Sequence, residues 1–157
     1  MKIRDQFLLS LYNSLEKLLR ENGFYHIKGP NEPIEWPGQP KNLWPKADVI
    51  VDLPDIQVII ETDEDSDPCR SIIKYWPYLE KYAGRKIMLI EIWKRGSTIG
   101  KGFFELAQFI GKKFEKTFPE FSYLPKERHA ESPQQMARWV LTILQALKKR
   151  KSETGNS

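Results

Sequence analysis

One cysteine, Cys69, and two histidines, His26 and His129, are all that this 157-residue chain has of those residue types. A single thiol excludes an internal disulfide framework and any cysteine-based zinc site, and it fits a reducing, cytoplasmic compartment. Two histidines so far apart in sequence exclude a histidine-rich metal site. Long apolar runs are also missing. None approaches the roughly 20 residues needed to cross a bilayer, so no membrane partner is expected. The N-terminus does not read as a signal peptide, because Glu16, Lys17 and Arg20 interrupt the pattern before an apolar segment and a cleavage site can form. The remaining composition, 40% AVILMFWYC and 29% charged, is that of a globule and not of a disordered chain. At this length folding should bury about 70% of the extended chain's surface. A single domain over residues 1–151 is expected, with a disordered polar tail at 152–157.

Bases are absent from one stretch. Asp48 through Asp67 holds eight carboxylates and no lysine or arginine. The net charge of +4 conceals this division: residues 1–93 carry 12 Lys and Arg against 15 Asp and Glu, whereas residues 94–157 carry 13 against 6. An acidic pocket beside a basic surface suits a metal-dependent enzyme acting on a polyanion, and a few solvated loops give the same split.

The periodic segments order themselves along the chain. Residues 3–21 place Phe7, Leu8, Leu11, Leu15, Leu18 and Leu19 at helical spacing, with Gly23 as a stop. Phe24 to Lys28 reads as a short strand. Five prolines between Pro30 and Pro45 exclude helix and central strand, and predict an ordered extended loop whose Trp36 and Trp44 are candidates for contact with a partner. Ala47 to Leu53 and Gln57 to Thr62, rich in β-branched residues and separated by Pro54-Asp55, predict a hairpin. Pro68 to Tyr82 reads as a helix with Asp67 as N-cap and a kink at Pro77. Lys86 to Trp93 is the most apolar strand and is expected at the centre of the sheet; Trp76, Trp93 and Trp139 are expected in the core. Phe103, Ala107, Ile110 and Phe114 mark another helix, and Glu120 to Leu124 a short edge strand. Ser132-Pro133-Gln134-Gln135 is a capping box opening the last helix. The fold class is α/β, with a mixed central sheet and flanking helices.

Alternation along the hairpin places Asp48, Ile50 and Asp52 on one face of the first strand, and Ile59, Glu61 and Asp63 on one face of the second. Carboxylates gathered there would repel one another unless a divalent cation sat among them. Mg²⁺ takes oxygen ligands and keeps several waters, so one or two carboxylates and a substrate phosphate suffice.

On these residues the chain resembles the restriction-endonuclease-like, or PD-(D/E)XK, nuclease superfamily. K-A-D-V-I-V-D-L supplies one acid at Asp48, and V-I-I-E-T-D-E-D a second at Glu61, thirteen residues on. The R-S-I-I-K-Y-W-P-Y-L-E-K-Y helix and the K-I-M-L-I-E-I-W strand stand where the next two core elements belong. The resemblance covers residues 3–93. It implies an αβββαβ core plus C-terminal helices, and metal-dependent hydrolysis of phosphodiester bonds, in DNA first, with nucleic acid as partner and a homodimer left open. It also implies Mg²⁺ or Mn²⁺ held by Asp48, Glu61 and the Thr62 carbonyl.

Two positions depart from the signature. Ala47 replaces its proline, and Asp63 its lysine, which polarises the attacking water. Lys74, one turn after Arg70, is the candidate for a lysine supplied from the next helix, with Asp63 as accessory ligand or base. The alternative is a catalytically inactive module of the same fold that binds nucleic acid or a protein partner. The bland reading of Asp48 and Glu61 is that both are solvated strand-end acids.

Lys94 to Gly102 follows a strand and precedes a helix, yet three residues between Gly96 and Gly100, and Gly102 after Lys101, exclude a P-loop. Arg70, Lys94, Arg95 and Lys101 remain candidates for gripping a nucleic-acid backbone. Lys148 to Lys151 closes a helix, where positive charge is favoured by the dipole.

Overall fold

The computed structural model describes residues 3–64, 67–81, 84–95 and 102–154. They form two compact units, residues 1–25 with 130–157, and residues 26–129.

The first unit is a pair of helices, α1 (Ile3–Glu21) and α5 (Pro133–Thr154), packed on one another. Leu8, Leu11, Leu15 and Leu19 are buried along α1, and Met136, Ala137, Val140 and Leu144 along α5, which is the i, i+3/i+4 stripe expected of amphipathic helices. Gly23 ends α1 with φ +85°, a conformation that costs glycine nothing. The capping box of α5 is reciprocal. Gln135 N donates to Ser132 Oγ at 3.1 Å, and Ser132 N donates to Gln135 Oε1 at 2.8 Å. Helix α5 takes in Ser152–Thr154 of the expected tail, because no helix breaker precedes Gly155.

The second unit is built on a five-stranded mixed sheet in the order β1 (Ile27–Lys28), β4 (Val49–Asp52), β5 (Ile56–Glu64), β6 (Lys86–Lys94) and β7 (Phe121–Glu127). The first three strands are antiparallel neighbours, and β5, β6 and β7 run parallel. The middle strand is β5; β6 is interior, one strand off the expected centre. Helices α2 (Pro68–Ile73) and α3 (Trp76–Lys81) form the crossover from β5 to β6, and α4 (Phe103–Thr117) connects β6 to β7. These helices bury Cys69, Ile72, Tyr78, Leu79, Phe104, Ala107 and Phe114 with Ile50, Ile59, Leu89 and Trp93 of the sheet.

The proline-rich segment is neither a helix nor a central strand. Its Glu32–Pro33 (β2) pairs with Lys46–Ala47 (β3) in a two-stranded ribbon, and Lys41–Leu43 makes one 3₁₀ turn. Trp36 is buried edge-on against Tyr78, which overturns its reading as a partner contact: a large apolar ring beside an apolar layer is desolvated by the fold itself. Trp44 is half-buried, its indole N–H donating to the Gln39 carbonyl. Trp93 is core as expected, Trp139 is half-buried, and Trp76 is half-exposed with one face tilted on Phe114.

Pro77 does more than kink. The expected single helix is two, separated at Lys74 and Tyr75, because proline has no N–H for the Ile73 carbonyl. Pro77 sits instead in the first turn of α3, where a missing donor costs little.

Candidate functional site

Strand β5 leaves the apolar layer as Ile59-Ile60-Glu61-Thr62-Asp63, and parallel β6 matches it residue for residue. Ile59 is opposite Leu89, Glu61 opposite Glu91, and Asp63 opposite Trp93. Side chains alternate along a strand, so Glu61, Asp63 and Glu91 share the sheet face that carries the core under α2, α3 and α4. All three are buried.

Asp48 lies one residue before β4. The β4–β5 ladder ends at Val49 opposite Ile60, which leaves the Thr62 N–H without a strand partner. Asp48 Oδ2 accepts that N–H at 2.8 Å and the Thr62 hydroxyl at 3.0 Å. Asp48 is 4% exposed. Asp52 departs from the site, pairing at the edge with Arg85 at 3.1 Å and accepting from Gln57 at 3.2 Å.

Above the carboxylates stands the break between α2 and α3. Lys74 closes α2, its Nζ 2.5 Å from Glu61 Oε1 and 2.7 Å from the Lys46 carbonyl. The neighbouring Tyr75 also donates its phenol to Glu61 Oε1. Adjacent residues of an unbroken helix point about 100° apart, so the interruption at Pro77 lets consecutive side chains meet one oxygen. Ser71, one turn earlier, donates to Asp63 Oδ1 at 2.9 Å. Tyr123 of β7 donates to Glu91 Oε1 at 2.5 Å.

Burial dominates the electrostatics. It pushes Glu61 up to about 8, and the Asp48 charge adds to this, while Lys74 and the Tyr75 hydrogen bond work the other way. Glu91 is pushed up to about 10, by burial first and then by Asp63. Tyr75 is raised well above its ordinary value by burial and by Glu61.

The sequence reading thus brought Asp48, Glu61, Thr62, Asp63 and Lys74 to one place, and the structure joins them there. It missed Glu91, Tyr75, Ser71 and Tyr123. For Glu91 a signal existed. The runs V-I-I-E and M-L-I-E align across two apolar strands, so parallel pairing in register puts the second glutamate beside the first.

The basic candidates lie apart from one another. Arg70 is exposed on α2. Lys94 pairs with Glu64 at 3.5 Å. Arg95 is held by Glu127 at 2.7 Å and Glu105 at 3.3 Å and lies over the Phe104 ring. Lys101 lies outside the described residues.

No three His, Cys, Asp or Glu side chains among the described residues are grouped so as to hold a metal ion. What the site offers is smaller: two carboxylates, Asp48 and Glu61, the latter with an Oε2 that is buried and has no hydrogen-bond partner among the described residues. An all-oxygen set of that size fits Mg²⁺ or Mn²⁺, which complete their shells with water and substrate oxygens. The chain matches no family model, no curated protein and no solved structure. No helix among the described residues is long and apolar enough to cross a membrane.

Proposed function

We propose that the chain is a metal-dependent nuclease with a restriction-endonuclease-like core, hydrolysing phosphodiester bonds in DNA. One observation carries the reading. Lys74, supplied by the helix after the acid-bearing strand, meets Glu61 while the Asp48 charge acts on the same carboxyl. Asp48 and Glu61 would hold Mg²⁺ or Mn²⁺. The Thr62 carbonyl would be a further ligand, on the strand edge where the Thr62 N–H already serves Asp48. When bound, the cation would polarise a phosphate oxygen and acidify a ligated water.

The chain's own residues supply the rest. Lys74 has a side chain one-third exposed, so its ammonium can pass from Glu61 to a phosphate and offset charge developing there. Asp63, fixed by Ser71, orients or deprotonates water. The lone Cys69 is buried and raised to about 12 by burial and Asp67, which gives no support to a nucleophilic role.

Supercoiled plasmid and single-stranded oligonucleotides, incubated with Mg²⁺ or Mn²⁺, test the proposal. Cleavage should fall at least about 100-fold in Asp48→Ala, Glu61→Ala and Lys74→Ala, with circular dichroism unchanged. A wild-type protein that binds no Mn²⁺ by calorimetry and cuts neither substrate would sink it.

The second reading, an inactive module of the same fold that binds nucleic acid or a protein partner, has its own observation. Asp63 stands where the signature has lysine, and it is 3% exposed and engaged by Ser71. That reading predicts nucleic-acid binding indifferent to Asp48→Ala.

A further inference from the structure

Tyr75 has no part in the chemistry above, yet it sits against its central acid. Its ring is 2% exposed in the core beneath α2 and α3. Its hydroxyl donates to Glu61 Oε1, the oxygen that also faces Lys74. The other oxygen, Oε2, is buried and accepts nothing among the described residues. An ionised carboxylate has about four lone-pair sites on two oxygens. Here both donors converge on one oxygen, and the second has no partner among the described residues. A buried oxygen without a partner is costly for a fold to keep, and a divalent cation shared with Asp48 would satisfy it.

The two donors differ in kind. Lys74 is a flexible, partly exposed side chain, with the Lys46 carbonyl as a second partner at 2.7 Å. The Tyr75 ring is enclosed and has few rotamers. If Lys74 swings toward a substrate phosphate, Glu61 loses that contact and keeps only the phenol.

We propose that Tyr75 is a positioning residue for the cation site: by pinning Oε1 of Glu61 it holds the carboxylate plane so that Oε2 is presented to a divalent cation shared with Asp48. The inference rests on the metal-dependent reading above. Groups that orient a metal ligand through a hydrogen bond commonly change metal affinity by about 10- to 100-fold when removed.

The test is Mn²⁺ binding to the full chain without substrate, by calorimetry and by the rise in melting midpoint with added Mn²⁺. Tyr75→Phe should weaken Mn²⁺ about tenfold or more and shrink the Mn²⁺-induced rise. Lys74→Met removes the other donor to Oε1 together with a nearby positive charge, and should leave Mn²⁺ affinity unchanged or tighter. A Tyr75→Phe protein with a lower metal-free midpoint but the wild-type Mn²⁺ increment would make Tyr75 a packing residue only. That overturns this inference and leaves the metal reading standing. Should Tyr75→Phe melt below the assay temperature, Lys74→Met decides, and a tenfold loss there overturns the inference. Absence of Mn²⁺ binding in the wild type removes both readings together.

Discussion

Four carboxyl groups lie within one buried corner, and each is kept there by a different neighbour. Asp48 is held by the Thr62 N–H and hydroxyl, Asp63 by Ser71, Glu91 by Tyr123, and Glu61 by Lys74 and Tyr75. This arrangement makes stability depend on pH in a stated direction. Burial raises Glu91 from 4.5 to about 10 and Glu61 from 4.5 to about 8. Over those windows the folded chain retains protons that the unfolded chain has released. The favourable contribution of these groups is therefore complete below about 4.5 and is lost as pH rises through the folded values. Without metal, the urea midpoint should decline between about pH 6 and about pH 9, and Glu91→Gln should make the decline shallower because it keeps the shape and removes the titration. A slope as steep as the wild type's would mean that Glu91 is already ionised in the fold. The residues split by legibility along the same physical line. Asp48 and Glu61 were readable because strand alternation and the apolar runs beside them put both acids at one end of the hairpin, and burial then removed the reading of them as solvated. Tyr75 was not, since in a continuous helix it points away from Lys74, and Pro77 signals a kink without saying that the helix divides before it.

At the scale of elements, short-range chemistry governs the ends and packing governs the joins. Asp67 caps α2 as its sequence implies, accepting from Cys69 N at 2.9 Å, with Pro68 next. The Ser132–Gln135 box opens α5 in the same local way. The contact of α4 with β7 has no such local signature. At Gly111 the Tyr123 ring lies so close that an added Cβ would fall 2.1 Å from Cδ1. Tyr123 also anchors Glu91, so this glycine sets how near the helix can bring the phenol to the site. Gly111→Ala should cost roughly 1–3 kcal/mol from overpacking, measured by urea unfolding. It should also steepen the pH dependence of stability, because Glu91 loses its donor. An alanine variant as stable as the wild type would show that the ring has room to retreat. Sequence periodicity placed α4 within three residues of its observed end and named Phe104's neighbours on the core stripe. It had no means to see that Gly111 makes room for a ring twelve residues further on, in β7; that depends on which strand lies beneath the helix.

For the molecule as a whole, the charge division of the sequence is only partly available to a polyanion. Arg95 and Lys94 lie in the basic portion, but carboxylates of the same unit already neutralise them. On the nuclease reading, Arg70, exposed on α2 one turn before Lys74, would meet a phosphate next to the site. Fluorescence anisotropy of a labelled DNA duplex across a salt series checks this. Arg70→Ala should reduce the slope of log affinity against log salt by about 1, and Arg95→Ala should leave it nearly unchanged. Equal losses from the two would mean that Arg95 exchanges its carboxylates for phosphate. The sequence by itself determined the α/β class, the hairpin and its two acids, and the caps of α2 and α5, because these depend on alternation, on propensity and on groups a few residues apart. Tertiary structure alone decided that Glu91 stands beside Glu61, that Trp36 is core, and that Lys74 and Tyr75 meet one carboxylate oxygen. Those facts require strand order, register and the break at Pro77 together, and each joins residues whose separation along the chain carries no periodic signal.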